Sequence, residues 1–216
     1  MAISRTVRFS VAFTITIVLI AARMLGLFQS IDSSIYSHFP GSNNFFIRAF
    51  TETASIYVFS AVTAAIAIYQ FLKFRGFTLG FLNFVSAFVV VSLLTLLVKF
   101  ATAVPRPGAS SQLQEASLFA LFSDIYSFPS GHTSRASTAA YYLSKKSNFL
   151  AVLSWLYVFL IALSRIVLAV HWFSDVLVGT AIGFLTAELI ELLTPYLLKL
   201  YKAILMGDRR IIMMND

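Results

Sequence analysis

The chain has no cysteine, which excludes a disulfide framework and any thiolate-held metal, and removes the usual marker of redox compartment. Charge is scarce as well. Asp, Glu, Lys and Arg make up 12% of the 216 residues while hydrophobic types make up 59%, a balance that excludes an ordinary soluble domain and places the chain in a bilayer. No boundary marks off a second domain: this length accommodates about six crossing helices of roughly 20 residues with short connections. Residues 1–216 are therefore expected to form one all-α, six-helix membrane bundle.

Apolar runs matched to the hydrocarbon thickness place spans near Phe9 to Phe28, Ala54 to Leu72, Leu79 to Phe100, Ser130 to Leu143, Phe149 to Val170 and Asp175 to Leu198. The fourth is short and rich in small residues (Ser134, Ala136, Ser137, Thr138, Ala139, Ala140), a composition suited to the bundle centre. Gly179 and Gly183, four apart in the last span, suit a close helix contact. The 22 Phe are packing and lipid-facing material, and no cofactor box follows from them.

The net charge of +7 is explained by topology. Arg5 and Arg8 precede the first span, Lys73 and Arg75 follow the second, Lys145 and Lys146 follow the fourth, and Lys199, Lys202, Arg209 and Arg210 follow the sixth. All fall on one side, so both termini are expected in the cytoplasm, with anionic headgroups rather than nucleic acid as their partner. Arg23 and Arg48 lean the other way. No small-residue cleavage site follows the first apolar run, so it is expected to stay as a span rather than be removed as a signal peptide.

Three blocks stand out against this background: Lys99 with Arg106-Pro107, then Pro129-Ser130-Gly131-His132, then Ser164-Arg165 with His171 and Asp175. Helix counting brings all three to the same, outer face, since span three ends at Lys99, span four begins at Ser130 and span five ends near His171. Their spacing resembles the three-part signature of the type 2 phosphatidic-acid phosphatase family, every defining position being present between residues 99 and 175. The segment from Ile31-Asp32 to Phe50-Thr51 is loosely similar to that family's outer segment. Vanadium-dependent haloperoxidases share the signature, with vanadate in place of phosphate, but resemble this chain only around the pocket.

Chemistry assigns roles to these residues that agree with what the resemblance implies. A phosphate ester repels nucleophiles until its oxygens are neutralised and its phosphorus is held in line; Lys99, Arg106 and Arg165 supply the positive charge, the guanidinium forks suiting bidentate contact. Ser130 and Gly131 open a helix whose amides attract an anion, Ser130 also being placed to cap it. His171 is the expected nucleophile, forming a phosphohistidine, and Asp175, four residues on and on one helical face if the chain is helical there, its orienting partner. His132 suits the general acid. Arg135, one turn later, is either a further cation for a second phosphate or a packing residue. Two histidines and an aspartate could ligate a metal, but the surrounding cations disfavour it, so no metal and no cofactor are expected.

These readings lead to a multi-pass lipid phosphatase acting on a phosphorylated membrane lipid at the extracytoplasmic face, with a lean toward a polyprenyl (undecaprenyl-type) diphosphate. Phosphatidylglycerophosphate or phosphatidate is the alternative substrate. A lipid phosphotransferase using the same residues, and a non-enzymatic lipid transporter or scaffold, are the alternative classes; the latter would not need His132, His171 and Asp175. His38 is expected at the surface and Glu188 and Glu191 at the interface. The amphipathic stretch from Ser110 to Ser127 would lie along the membrane and gate lipid entry.

Overall fold

Short polar residues interrupt the apolar runs, and in a computed structural model they start the helices. Residues 4–108, 126–205 and 211–212 are described. The elements run α1 Arg5–Met24, α2 Gln29–His38, α3 Phe45–Glu52, α4 Ile56–Phe74, β1 Phe77–Thr78, α5 Leu79–Thr102, α6 Gly131–Ser144, α7 Asn148–Val167, α8 Phe173–Ile204 and β2 Ile211–Ile212. Side-chain oxygens of Ser4, Asn44, Ser55, Thr78 and Ser147 each accept a backbone N–H in the first turn of α1, α3, α4, α5 and α7, satisfying donors that a helix start leaves orphaned. The two strands are a short parallel pair, Phe77 opposite Ile211.

Among the described residues, five helices, α1, α4, α5, α7 and α8, are long and apolar enough to cross a membrane. The expected fourth span is a shorter element: α6 has 14 residues, about 21 Å at the standard rise, against a hydrocarbon core of about 30 Å. It is also the most enclosed, with nearly every residue from Gly131 to Tyr142 buried. Small residues make that possible. A Cβ on Gly183 would lie 2.2 Å from the Ser134 carbonyl oxygen, and one on Gly179 2.6 Å from that of Ser130, so α8 meets α6 nearly backbone to backbone. Ser137 and Thr138 hydroxyls then donate across the seam to the Thr180 and Gly183 carbonyls, at 2.8 and 3.1 Å. Outside this centre, α4 has no fully buried side chain, although Phe59 packs against the core and stacks on Phe88.

Helix α8 is 32 residues long with Pro195 inside it. Proline has no N–H to give the carbonyl four residues back, which belongs to Glu191; Arg5 Nη1 donates to that oxygen instead, at 3.3 Å. Nearby, Arg8 Nε lies 3.3 Å from Glu188 Oε1 and Lys145 Nζ 2.8 Å from Glu191 Oε2. The interfacial placement expected for these acids is therefore corrected: Glu188 is 2% and Glu191 7% exposed, because α8 runs through the middle of the bundle and its polar face meets α1, α5 and α6. These contacts place the start of α1, the end of α6 and the later part of α8 at one end of the bundle. The three sequence blocks lie at the other.

Candidate active site

The site is assembled where α5 and α7 end and α6 and α8 begin. The Ser130 N–H donates to the Asp175 carbonyl at 3.0 Å, joining the start of α6 to that of α8. The Trp172 indole donates to the Pro105 carbonyl at 2.9 Å, and the Ser127 hydroxyl donates to the same oxygen at 3.0 Å. Those bonds fasten the connection carrying Arg106 to the turn carrying His171, through Trp172, and to the segment leading into α6, through Ser127. Of the amphipathic stretch from Ser110 to Ser127, only Tyr126 and Ser127 fall among the described residues.

His171 and Asp175 meet, but not as a helical pair. Helix α7 stops at Val167, three residues short of the expected end, and Ala169 turns the chain with a φ of 51°; His171 lies in that turn and Asp175 in the first turn of α8. The Asp175 carboxylate accepts the Trp172 N–H on Oδ2 at 2.9 Å, capping its own helix. His171 Nδ1 lies 3.5 Å from the same oxygen. Both residues are almost wholly buried, 2% and 0% exposed. An imidazole held through Nδ1 presents Nε2 as its reactive nitrogen.

Ser130 sits at the N-cap position of α6, yet its side chain makes no capping bond, and its Oγ has no hydrogen-bond partner among the described residues although the residue is fully buried. The expectation of an ordinary cap is thereby corrected. The hydroxyl stands beside the N–H groups at the helix start, an arrangement suited to anion binding. His132 follows in the first turn, buried, with Nε2 4.0 Å from Glu52 Oε1 of α3.

The cations lie on the elements that end or begin here. Lys99, buried in the last turn of α5, donates from Nζ to the Tyr126 carbonyl, and Arg165 is buried in the last turn of α7. Arg106 is half-buried on the connection after α5. Arg135 donates from Nε to the Ala54 carbonyl at 3.1 Å, and a Cβ on Gly131 would stand 3.0 Å from its Nη1, so the guanidinium both ties α6 to the start of α4 and lies against the first residue of α6. His38, on the exposed end of α2, stays apart, with its ring Nδ1 2.8 Å from the Ser34 carbonyl.

Sequence reasoning missed Arg23, Asp32, Glu52 and Ser174. Asp32 of α2 accepts from the Ser174 N–H and hydroxyl at 2.9 and 2.7 Å, and Arg23 at the end of α1 faces both Asp32 and Asp175. The signal that could have found Arg23 was its place as a cation at the wrong end of an otherwise one-sided basic bias.

An apolar groove of about 300 Å³ opens beside the cluster between α3 and α7, lined by Phe46, Ile47, Phe50, Leu160, Leu163, Ser164 and Val167.

Comparison with known proteins agrees with this geometry. The fold is shared with a transmembrane PAP2-type phosphatidylglycerolphosphate phosphatase from Bacillus subtilis, at a TM-score of 0.68 and 22% identity over 87% of this chain and 96% of that one. It is also similar to LpxE from Aquifex aeolicus, at a TM-score of 0.57 and 26% identity over 74% and 93% of the two chains. The family model of the PAP2 superfamily matches residues 76–198, a stretch containing all three blocks and more than half of the sequence, and on that match the chain belongs to the PAP2 superfamily.

Proposed function

We propose that this protein is an integral-membrane lipid phosphatase that removes the terminal phosphate of a polyprenyl diphosphate through a phosphohistidine. The observation that carries the reading is the buried His171–Asp175 pair, 3.5 Å apart, joined through Asp175 to a helix start whose Ser130 hydroxyl has no hydrogen-bond partner among the described residues, with Lys99 and Arg165 buried at neighbouring helix ends. PAP2 membership, and similarity to two solved structures, one of them a transmembrane PAP2-type phosphatidylglycerolphosphate phosphatase, support hydrolysis of a phosphorylated lipid.

In this mechanism the terminal phosphate sits at the start of α6, its oxygens on Lys99, Arg106, Arg165, Ser130 Oγ and the backbone N–H groups of Gly131 and His132. His171 Nε2 attacks phosphorus in line as the bridging P–O bond breaks. Asp175 holds Nδ1–H and balances the positive charge growing on the ring. Protonated His132 gives its proton to the departing oxygen of the lipid monophosphate, then takes one from the water that cleaves the N–P bond. Inorganic phosphate leaves and both histidines return to their starting states. No metal takes part, because the cation ring already neutralises the phosphoryl oxygens.

The lean toward a diphosphate rests on Arg135, whose guanidinium at Gly131 offers charge for a second phosphate, and on the small single-domain format. The groove between α3 and α7, continuous with Ser164, provides an apolar path for the lipid chain. Basic residues at the opposite end support cytoplasmic termini and a site on the extracytoplasmic side, a reading in which α6 is a short sixth crossing shielded by its neighbours.

The test is phosphate release by pure detergent-solubilised protein from a panel of polyprenyl diphosphate, phosphatidylglycerophosphate and phosphatidate, with chelator present. Release from the diphosphate, undiminished by chelation and blocked by vanadate, is expected. Turnover of monoesters alone would move the substrate to phosphatidylglycerophosphate or phosphatidate, and turnover that stalls until a lipid acceptor is added would make the protein a phosphotransferase.

A further inference from the structure

Arg23 does not behave as an interfacial cation. A lysine or arginine in the last turn of a membrane helix ordinarily extends toward water and interacts with the helix dipole, but the Arg23 side chain is only 16% exposed and lies between two buried carboxylates, its Nη1 3.9 Å from Asp32 Oδ2 and its Nε 3.9 Å from Asp175 Oδ1. Asp175 turns Oδ1 toward Arg23, while its other oxygen is taken by the Trp172 N–H and faces His171. Asp32 is anchored in turn by the N–H and hydroxyl of Ser174, next to Asp175 in the chain. Both Arg23 and Asp32 precede the 76–198 family match.

A buried carboxylate keeps its charge only when something opposes the cost of desolvation. For Asp175 the Trp172 N–H on Oδ2 supplies the first part of that opposition, and Arg23, facing Oδ1, supplies positive charge. We propose that Arg23, set in place by Asp32, is a positioning residue for the reaction: it keeps Asp175 ionised and aimed, so that Asp175 holds the proton on His171 Nδ1 and leaves Nε2 nucleophilic. Asp32 serves as a tether that fixes Arg23 without competing for His171. Loss of Arg23 leaves two carboxylates facing each other in a dry site, a repulsion relieved when one of them takes up a proton. An Asp175 so protonated would no longer hold His171 in the productive tautomer. The inference rests on the assignment of His171 as the nucleophile.

The experiment combines kinetics with nitrogen-15 NMR of the histidines, of which the chain has only 3, assigned by single substitution in the full-length protein. Wild type should show His171 as the Nδ1–H tautomer. In Arg23→Gln the His171 signals should move toward a tautomer mixture while those of His38 stay, and kcat should fall about 10- to 100-fold with KM changed by about threefold at most. Arg23→Lys should recover part of the loss. Adding Asp32→Asn to Arg23→Gln should also restore part of kcat, since it removes one of the two opposed carboxylates without repairing any salt bridge.

The proposal is overturned if Arg23→Gln keeps the wild-type His171 spectrum, whether kcat is unchanged or falls only in step with melting temperature. It is also overturned if the double variant is worse than Arg23→Gln alone, as a purely structural ion pair would require. Should wild-type protein release phosphate from no lipid while Arg23→Gln still shifts the His171 signals, the hydrolase reading fails and the Arg23–Asp175–His171 linkage stands.

Discussion

Each end of the bundle buries a polar cluster, and the two clusters are built differently. At the end reached by the start of α1, cations and acids are matched in close pairs, Arg8 with Glu188 at 3.3 Å and Lys145 with Glu191 at 2.8 Å. Asn83 adds hydrogen bonds to Glu191 and Thr194, and Tyr201 donates to Asn83. At the block end, among the described residues, the ion pairs Arg23–Asp32, Arg23–Asp175, His132–Glu52 and His171–Asp175 are longer, 3.5–4.0 Å, and the Ser130 hydroxyl has no hydrogen-bond partner. A closed network holds helices together. A looser cluster around an open hydroxyl at a helix start suits an anion from outside, and on the proposed function that contrast puts chemistry at one end and stability at the other.

The strongest challenge to this division is to remove the nucleophile. His171→Ala should abolish trapping of a phosphoenzyme and lower phosphate release by about 10⁴-fold or more, Asp175→Asn by a similar order, as losses of an acting base and its orienting carboxylate do in other triads. Folding should survive, since neither change opens the seam between α6 and α8; vanadate binding measured by calorimetry checks that the pocket remains. A phosphoenzyme persisting in His171→Ala would reassign the nucleophile.

Next in size is His132→Ala. A general acid typically contributes about 10²- to 10⁴-fold, and its loss matters most when the leaving group is a poor one. Lipid substrates should therefore suffer the full loss, while an activated aryl phosphate, whose leaving oxygen needs no proton, should be turned over at a rate much nearer wild type. An equal loss on both substrates would refute the acid assignment and turn His132 into a phosphate-binding residue.

The block end was legible because its residues sit at fixed spacings within short stretches, and helix counting alone carried those stretches to one face. The polar shell behind them was not. Arg23, Asp32 and Ser174 come from three separate segments and acquire meaning only when α1 and α2 pack on the start of α8; in the sequence, Arg23 read as an exception to the charge bias. The His171–Asp175 contact was foreseen for the wrong reason, since the four-residue spacing acts through a turn followed by a helix start rather than along one helix. Glu188 and Glu191 were misplaced because α8 is apolar on most of its circumference, so periodicity could not say which of its faces meets protein and which meets lipid. The short, Ser- and Thr-rich α6 was the reverse case, its composition announcing both its central position and its close contact with Gly179 and Gly183.

The smallest effect on catalysis, and the sharpest on the comparison, is expected at the far end. Lys145→Met strips Glu191 of the ammonium 2.8 Å from its Oε2 while keeping an unbranched side chain of similar length. Among the described residues, Glu191 then keeps the Asn83 amide, 3.3 Å from Oε1, to offset its burial. Removing one partner of a fully buried ion pair costs about 3–5 kcal/mol, but the Lys145 side chain is 34% exposed, so water shares the task and a loss nearer about 1–2 kcal/mol is expected. Thermal unfolding in detergent should show it as a lower melting temperature. Because this pair lies at the opposite end of α6 from Ser130 and His132, kcat and KM measured below the unfolding range should match wild type. If Lys145→Met instead lowers kcat at unchanged melting temperature, the two clusters are coupled along α6 and α8, and assigning stability to one end and chemistry to the other is wrong.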